Sequence, residues 1–138
     1  MKALATKLIK KHEGLRLKPY RCSRQKITIG YGRNLQDNGI SQEEADTLLQ
    51  HDLDSAIQEA ESLPFFASLN EPRQAVIVDM VFNLGLPRFG MFKKMITAIE
   101  CEHWHVAANE MLNSRWARQV GKRANTLSEM MRLGTEIN

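Results

Sequence analysis

The segment AVIVDMVFNLGL at 75–86 is the most apolar part of the chain and constrains its fold most strongly. With the residues before it, this segment predicts a helix over 71–84 that is apolar on nearly all sides. Such a helix must be surrounded by other elements, so we expect it at the buried centre of the larger part of the molecule. The segment is too short to cross a bilayer and contains Asp79, so it does not predict a membrane span.

Length and composition predict an ordinary globular protein. The chain has 138 residues, of which 43% are hydrophobic and 25% are charged, and this excludes disorder of the whole chain. A chain of this length can bury enough surface without a metal or a disulfide. Cys22 and Cys101 are too few for a disulfide framework, and with only four histidines no zinc-ligand spacing occurs. We therefore expect two reduced thiols and no metal or cofactor.

The charge pattern and the start of the chain argue against two classes of partner. The net charge is only +3, the basic residues are scattered among acidic ones, and no nucleic-acid-binding motif occurs. The first residues, MKALATKLIKKHEG, lack the apolar run of a secretory signal. The sequence therefore predicts no nucleic-acid partner, no signal peptide and no stable membrane insertion.

The first 40 residues predict one helix followed by a small β element. Apolar residues on one face of 2–12 predict an amphipathic helix. The short runs LRLKPY and ITIGYG predict a hairpin or an irregular sheet within 15–32. The stretch NLQDNG at 34–39 contains an Asn-Gly turn signal and predicts a loop.

The remainder of the chain predicts helices. Ser41 and Glu44 form a capping box that begins a long helix, and Pro64 ends it. Gly85 and Pro87 end the central helix. Shorter helices are expected at about 91–100, 103–112, 114–120 and 122–132. The fold class is therefore α+β and mostly α, as a single domain over 1–138. We expect an N-terminal lobe at about 13–60, a C-terminal lobe at about 61–138 plus the first helix, and a cleft between them for a polymer.

Glu13 is the first candidate for chemistry. It lies at the predicted C-terminal end of the first helix, where the helix dipole disfavours a negative charge. A protonated carboxyl in such a place can act as a general acid, although Lys11, His12 and Arg16 act in the opposite direction. The alternative is a solvated Glu at a helix end.

The segment ITIGYG adds Thr28 and Gly30 to the candidates. The strand ends in two glycines, two positions apart. Without side chains there, a sugar ring can approach the backbone closely. An ordinary twisted hairpin is the alternative.

The stretch HEGLRLKPYRCSRQKITIGYGR resembles the catalytic segment of the phage lysozymes, the muramidases of tailed phages, of the glycoside hydrolase family 24 type. That family has Glu, then eight residues, Asp or Cys, then five residues, and Thr. Glu13, Cys22 and Thr28 fit both spacings. The resemblance covers about 4–133, because AVIVDMVFNLG, FGMFKKM, HWHVAANEM and SRWARQVGKRA are similar to the later segments of the family. It implies a lysozyme-like fold around a buried central helix.

The sequence departs from the best-known branch of that family in three ways. Cys22 stands where that branch has Asp, Arg33 stands where it has His, and the loop between Arg33 and Ser41 is much shorter. These differences concern the mechanism and leave the resemblance intact.

The resemblance implies hydrolysis of the β-1,4 bond between N-acetylmuramic acid and N-acetylglucosamine, with Glu13 protonating the leaving oxygen. Cys22 takes the place of the usual second carboxylate. It could be a thiolate base, a covalent nucleophile, or a helper while Thr28 positions the water. We favour a pair of Cys22 and Thr28 that handles the water, and a buried structural cysteine is the alternative. A lytic transglycosylase, which uses one Glu and gives 1,6-anhydro products, is the alternative enzyme.

Four further residues are candidates for lining or supporting the cleft: Phe82, Asn83, Glu110 and Arg115. Support is favoured over substrate contact for Phe82, Asn83 and Arg115. Phe82 could be plain core, Asn83 could only satisfy a hydrogen bond near Trp116, and Arg115 could form a lobe-bridging ion pair.

The resemblance also implies a biological role. A phage endolysin without an export signal would wait in the host cytoplasm for a holin-type pore and then act on periplasmic peptidoglycan, as a monomer. The C-terminal segment GKRANTLSEMMRLG could instead act on membranes, but we expect its apolar residues to pack on the core: Leu127, Met130, Met131 and Leu133.

Overall fold

A computed structural model describes residues 1–137. The chain divides into two units, of which the first is Met1–Leu48 and the second starts at Leu49. The first helix of the chain belongs to the first unit.

The first unit consists of a helix followed by a small sheet. Helix α1 (Lys2–Glu13) ends at Gly14, whose φ is 72°. Strands β1 (Arg16–Arg21), β2 (Ile27–Gly30) and β3 (Arg33–Asn34) form an antiparallel sheet in that order. The predicted small β element is therefore confirmed, with a third strand of two residues.

The segment predicted as a loop at 34–39 contains one helical turn, α2 (Leu35–Asn38). The side chain of Asn34 accepts a hydrogen bond of 3.0 Å from the backbone N–H of Asp37 and so caps the turn. Gly39 ends it with a φ of 60°. The loop prediction was wrong there because the residues that favour turns also favour helix caps.

The long helix α3 (Gln42–Glu61) confirms the predicted capping box. The backbone N–H of Glu44 donates to Ser41 Oγ at 3.1 Å, and the backbone N–H of Ser41 donates to Glu44 Oε1 at 2.9 Å. The two hydrogen bonds satisfy donors that a helix start leaves free. The helix ends before Pro64, as predicted.

The central helix α4 (Glu71–Leu84) contributes its buried side to the core of the second unit, as predicted, but it is not surrounded, because Ala75 and Phe82 are exposed. Val76, Ile77 and Met80 are each 0% exposed. The Asn70 side chain caps the helix by accepting a 3.1 Å hydrogen bond from the backbone N–H of Arg73.

Shorter helices complete the second unit. Besides a 3-10 turn at Phe66–Ser68, they are α5 (Leu86–Phe89), α6 (Lys93–Glu100), α7 (Trp104–Leu112), α8 (Arg115–Val120) and α9 (Lys122–Leu133). Helix α5 was not predicted, because Pro87 was interpreted only as a stop. Proline is tolerated in the first turn of a helix, and Pro87 occupies that place.

The last helix packs on the core rather than presenting an apolar face to solvent. Leu127 is 6% exposed, Met131 is 0% exposed and Met130 is partly buried against the core. The prediction was wrong for Leu133, which is 47% exposed. Arg73 holds the end of the helix through a hydrogen bond from Nε to the Met131 carbonyl at 2.8 Å.

Within residues 1–137, no helix combines the length and the hydropathy needed to cross a membrane.

Ile77 provides a test of the core. We expect Ile77→Ala to lower the free energy of unfolding by about 2–5 kcal/mol, because it removes buried methyl and methylene groups and leaves a cavity. Urea denaturation followed by fluorescence measures this change. Ala75 is exposed on the same helix, so Ala75→Ser is the matched control and should change stability by less than about 0.5 kcal/mol. Similar losses from both variants would contradict the assignment of the core.

Candidate active site

Glu13 is the last residue of α1, and its exposed side chain lies against the turn between β2 and β3. A Cβ atom built on Gly32 would lie 2.6 Å from Glu13 Oε2 and 2.9 Å from its Cδ. The φ of Gly32 is 80°, a conformation that other residues rarely adopt. Glycine is therefore required at position 32 for two reasons. Only glycine readily adopts this backbone conformation, and any side chain there would collide with the carboxylate of Glu13.

The turn under Glu13 is fixed at its start and contacted by α1. Gly30 ends β2 with a φ of 71° and is paired with Arg16 of β1. Tyr31 lies between the two glycines. Lys10 Nζ of α1 lies 5.3 Å from the centroid of its ring. The last turn of α1 thus contacts the turn through Lys10 as well as Glu13.

Cys22 follows β1 and is half-buried at the start of the turn into β2. Its backbone N–H donates to the Lys26 carbonyl at 3.0 Å. Hydrogen bonds from the backbone N–H groups of Lys26 and then Arg24 lower the pKa of the Cys22 thiol, and the Thr28 hydroxyl lowers it further. Desolvation acts in the opposite direction and is outweighed. The turn therefore favours the thiolate relative to an ordinary cysteine.

Thr28 is buried in β2, with 3% of its surface exposed. Its hydroxyl donates to the Lys26 carbonyl at 2.8 Å. Because the hydroxyl hydrogen is directed to that carbonyl, the remaining lone pairs of the oxygen can accept a hydrogen bond from water. The Thr28 side chain thus lies within hydrogen-bonding reach of the Cys22 thiol.

Two ion pairs hold the loops of the first unit. Arg33 contacts Glu44 with both terminal nitrogens, at 2.9 and 2.6 Å, and this hydrogen bonding lowers the pKa of Glu44 to about 2. Lys26 Nζ lies 3.2 Å from Asp37, and its hydrogen bond lowers the pKa of that carboxyl. Both carboxylates therefore stay ionised, and paired, at pH values below their usual range.

Two of the predicted residues of the second unit occupy the end of α4. Asn83 Oδ1 accepts a 2.8 Å hydrogen bond from Trp116 Nε1, and Phe92 packs edge-on against Trp116 with centroids 6.1 Å apart. This contact is the one that the alternative interpretation of Asn83, a hydrogen bond near Trp116, describes. Phe82 is 43% exposed, which excludes the alternative that it is plain core. It lines an apolar groove of about 660 Å³ together with Leu53 of α3 and other residues.

Glu110 and Arg115 line one groove of about 750 Å³ in the second unit. Glu110 is half-buried and Arg115 is exposed. The other charged residues of this groove are all cationic: Arg88, Lys93 and Lys94. The groove therefore attracts acidic groups.

The predicted residues thus fall into two sets. Glu13, Cys22, Thr28 and Gly30 lie in the first unit. The other four, Phe82, Asn83, Glu110 and Arg115, lie in the second. Sequence reasoning missed the contact of Gly32 with Glu13, although the second glycine of ITIGYG was the available signal. Among residues 1–137, no group of three or more His, Cys, Asp or Glu side chains is placed to hold a metal ion.

A comparison with known protein families identifies the family of this chain. A family model described as "Phage lysozyme" matches residues 10–132. The chain belongs to the phage lysozyme family. This match confirms the resemblance seen in the sequence and the enzyme class, a lysozyme.

Several relatives of this phage lysozyme show how far the similarity extends. "Probable T4-type lysozyme 1" of Dictyostelium discoideum is 33% identical over 100 residues, which cover 70% of this chain and 59% of that protein. "Probable T4-type lysozyme 2" of the same organism is 27% identical over 158 residues, 93% of each chain. An "Endolysin" of Acyrthosiphon pisum secondary endosymbiont phage 1 is 30% identical over 120 residues, 84% of this chain and 80% of that one. The match to the first relative therefore spans less than two thirds of its length.

Gly32 provides a test of the geometry under Glu13. We expect Gly32→Ala to lower the rate of peptidoglycan cleavage by about a hundredfold, because the added Cβ displaces the Glu13 carboxylate. Initial rates of turbidity loss with permeabilised cells measure the effect. Gly39→Ala is the matched control, since Gly39 also has a positive φ, 60°, but an added Cβ there meets no atom within 4 Å. Equal losses from both variants would show that backbone strain, not contact with Glu13, causes the effect.

Proposed function

We propose that this phage lysozyme is an endolysin that hydrolyses the β-1,4 bond between N-acetylmuramic acid and N-acetylglucosamine in peptidoglycan. The observation that carries this proposal is the position of Glu13 against Gly32, in the same unit as the paired Cys22 and Thr28. One relative is named an endolysin and two are named T4-type lysozymes, which supports the same substrate.

In this mechanism Glu13 is the general acid. Its carboxyl protonates the leaving oxygen while positive charge develops on the sugar ring. Gly30 and Gly32 lack side chains, so the backbone beside Glu13 can approach the sugar closely. The turn thus provides both the support for the acid and the space for the ring.

Cys22 and Thr28 handle the attacking water. The lowered pKa of the Cys22 thiol supports a thiolate that can take a proton from water. Thr28 can accept a hydrogen bond from the same water, because its own hydrogen is held by the Lys26 carbonyl. In this assignment Cys22 is the base and Thr28 orients the water.

The residues of the second unit support the substrate region. Asn83 holds Trp116 by a hydrogen bond and Phe82 is an exposed aromatic side chain. The cationic groove that contains Glu110 and Arg115 suits the carboxylates of peptidoglycan peptides. The family match runs through both units, which supports a single catalytic domain.

The proposal includes a setting in the cell. The enzyme waits in the host cytoplasm, passes through a holin-type pore, acts on peptidoglycan in the periplasm as a monomer, and causes lysis. A relative named as a phage endolysin supports this role.

Glu13→Gln tests the central assignment. We expect the variant to lose at least about a hundredfold in the rate at which it clears permeabilised Gram-negative cells, because glutamine cannot donate the proton. Glu43→Gln is the control, since Glu43 is an exposed carboxylate at the start of α3 in the same unit. Equal clearing by Glu13→Gln and the wild type would refute the proposal.

Mass spectrometry of the digested peptidoglycan distinguishes the reaction types. The proposal expects reducing ends formed by hydrolysis. Products with 1,6-anhydro ends would show that the enzyme is a lytic transglycosylase and would refute the proposed hydrolysis.

Two substitutions at Cys22 test the role of the thiol. We expect Cys22→Asp to remain within about tenfold of the wild type, because a carboxylate can also act as a base, and Cys22→Ser to lose about a hundredfold. Both are made in a Cys101→Ser background, because Cys101 is an exposed second thiol. Steady-state rates at pH 7 measure the effect. Full activity of Cys22→Ser would exclude a thiolate base and a covalent nucleophile.

A further inference from the structure

Arg33 directly follows the turn that contacts Glu13. It begins β3, and its guanidinium group contacts both carboxylate oxygens of Glu44 in the first turn of α3. The same guanidinium donates to the Gly39 carbonyl at 3.2 Å. One side chain therefore joins three parts of the first unit: the glycine turn, the end of α2 and the start of α3.

The glycine turn is held at both of its ends. At its start, Gly30 is paired with Arg16, which lies three residues after Glu13. At its end, two residues, Arg33 and Asn34, separate Gly32 from α2. The side chain of Arg33 is held by its hydrogen bonds to Glu44. The position of Gly32 under the carboxylate thus depends on the sheet on one side and on the ion pair on the other.

We propose that Arg33 and Glu44 are positioning residues that hold Gly32 against the carboxylate of Glu13. This inference rests on the proposed role of Glu13 as the general acid. Neither residue touches the reacting bond in this proposal. They act through the β3 backbone and Gly32.

The geometry of the pair distinguishes it from an ordinary surface ion pair. A planar guanidinium that contacts both oxygens of a carboxylate fixes orientation as well as distance, which a lysine ammonium cannot do. The partner is itself fixed, because Glu44 Oε1 also accepts a hydrogen bond from the backbone N–H of Ser41. By contrast, Lys26 and Asp37 in the same unit form a single contact of 3.2 Å.

Loss of the pair would release β3 and allow Gly32 to move relative to α1. A displacement of about 1 Å in a positioned catalytic group can lower a rate by about a hundredfold. A partial release should therefore lower kcat and leave the binding of the glycan strand nearly unchanged.

Two conservative variants test this proposal. Arg33→Lys keeps the charge but loses the two-pronged contact, and Glu44→Gln loses the charge but keeps an acceptor for the capping box. We expect each to lower kcat on peptidoglycan fragments by about tenfold and to change KM by less than about twofold. Because the two residues act as one unit, the double variant should be no slower than the slower single variant.

The matched control is Asp37→Asn, which removes the charge of the other ion pair in the same unit. It should keep the kcat of the wild type. Thermal unfolding of every variant, with rates taken well below the midpoint, separates a loss of positioning from a loss of folded protein. In a Gly32→Ala background, Arg33→Lys should lower kcat no further, because the carboxylate is already displaced. A purely structural role would give the same loss in both backgrounds.

Wild-type kcat in Arg33→Lys and Glu44→Gln would overturn the inference, and so would an equal loss in Asp37→Asn. Failure of the proposed function has a different signature. If Glu13→Gln is fully active, the general acid is misassigned. If Glu13→Gln is inactive while the Arg33 and Glu44 variants are unaffected, only the positioning role is wrong.

Discussion

The burial of α4 is the constraint on which the second unit depends. Val76, Ile77 and Met80 lie on one side of the helix and are completely buried, whereas Ala75 and Phe82 of the same helix are exposed. The buried side must be covered by other elements, and α5 and α9 contact the helix. The hydrogen bond from Trp116 to Asn83 at the end of α4 then joins that core to the residues proposed to support the substrate.

The first unit is held by a different kind of interaction. Of its 48 residues, all of which the structure describes, only Thr28 is buried. Its loops are fixed instead by hydrogen bonds, helix caps, glycines at positive φ and the ion pair between Arg33 and Glu44. Such contacts define directions and distances more narrowly than apolar packing does. A site that must hold Glu13 beside the backbone of Gly32 depends on that precision.

Predictions of helices were most accurate where a local sequence pattern, such as a capping box or a run of apolar residues, marks the element. The capping box of Ser41 and Glu44 and the apolar surface of α4 each predicted an element that the structure contains. Predictions failed where one residue type serves two purposes. Asn34 caps a helical turn in a stretch interpreted as a loop, and Pro87 begins a helix at a position interpreted as a stop. A single sequence cannot distinguish these uses, because the deciding hydrogen bonds depend on neighbouring backbone conformation.

The sequence by itself determined the family, through the spacing of Glu13, Cys22 and Thr28 and its continuation along the chain. The tertiary structure decided that Gly32 lies under Glu13, that backbone N–H groups lower the pKa of Cys22, and that Arg33 reaches Glu44. The physical reason is that the spacing of residues gives only their order and separation along the chain. Contacts between elements, and the positive φ values that direct the backbone into them, arise only when the chain has folded.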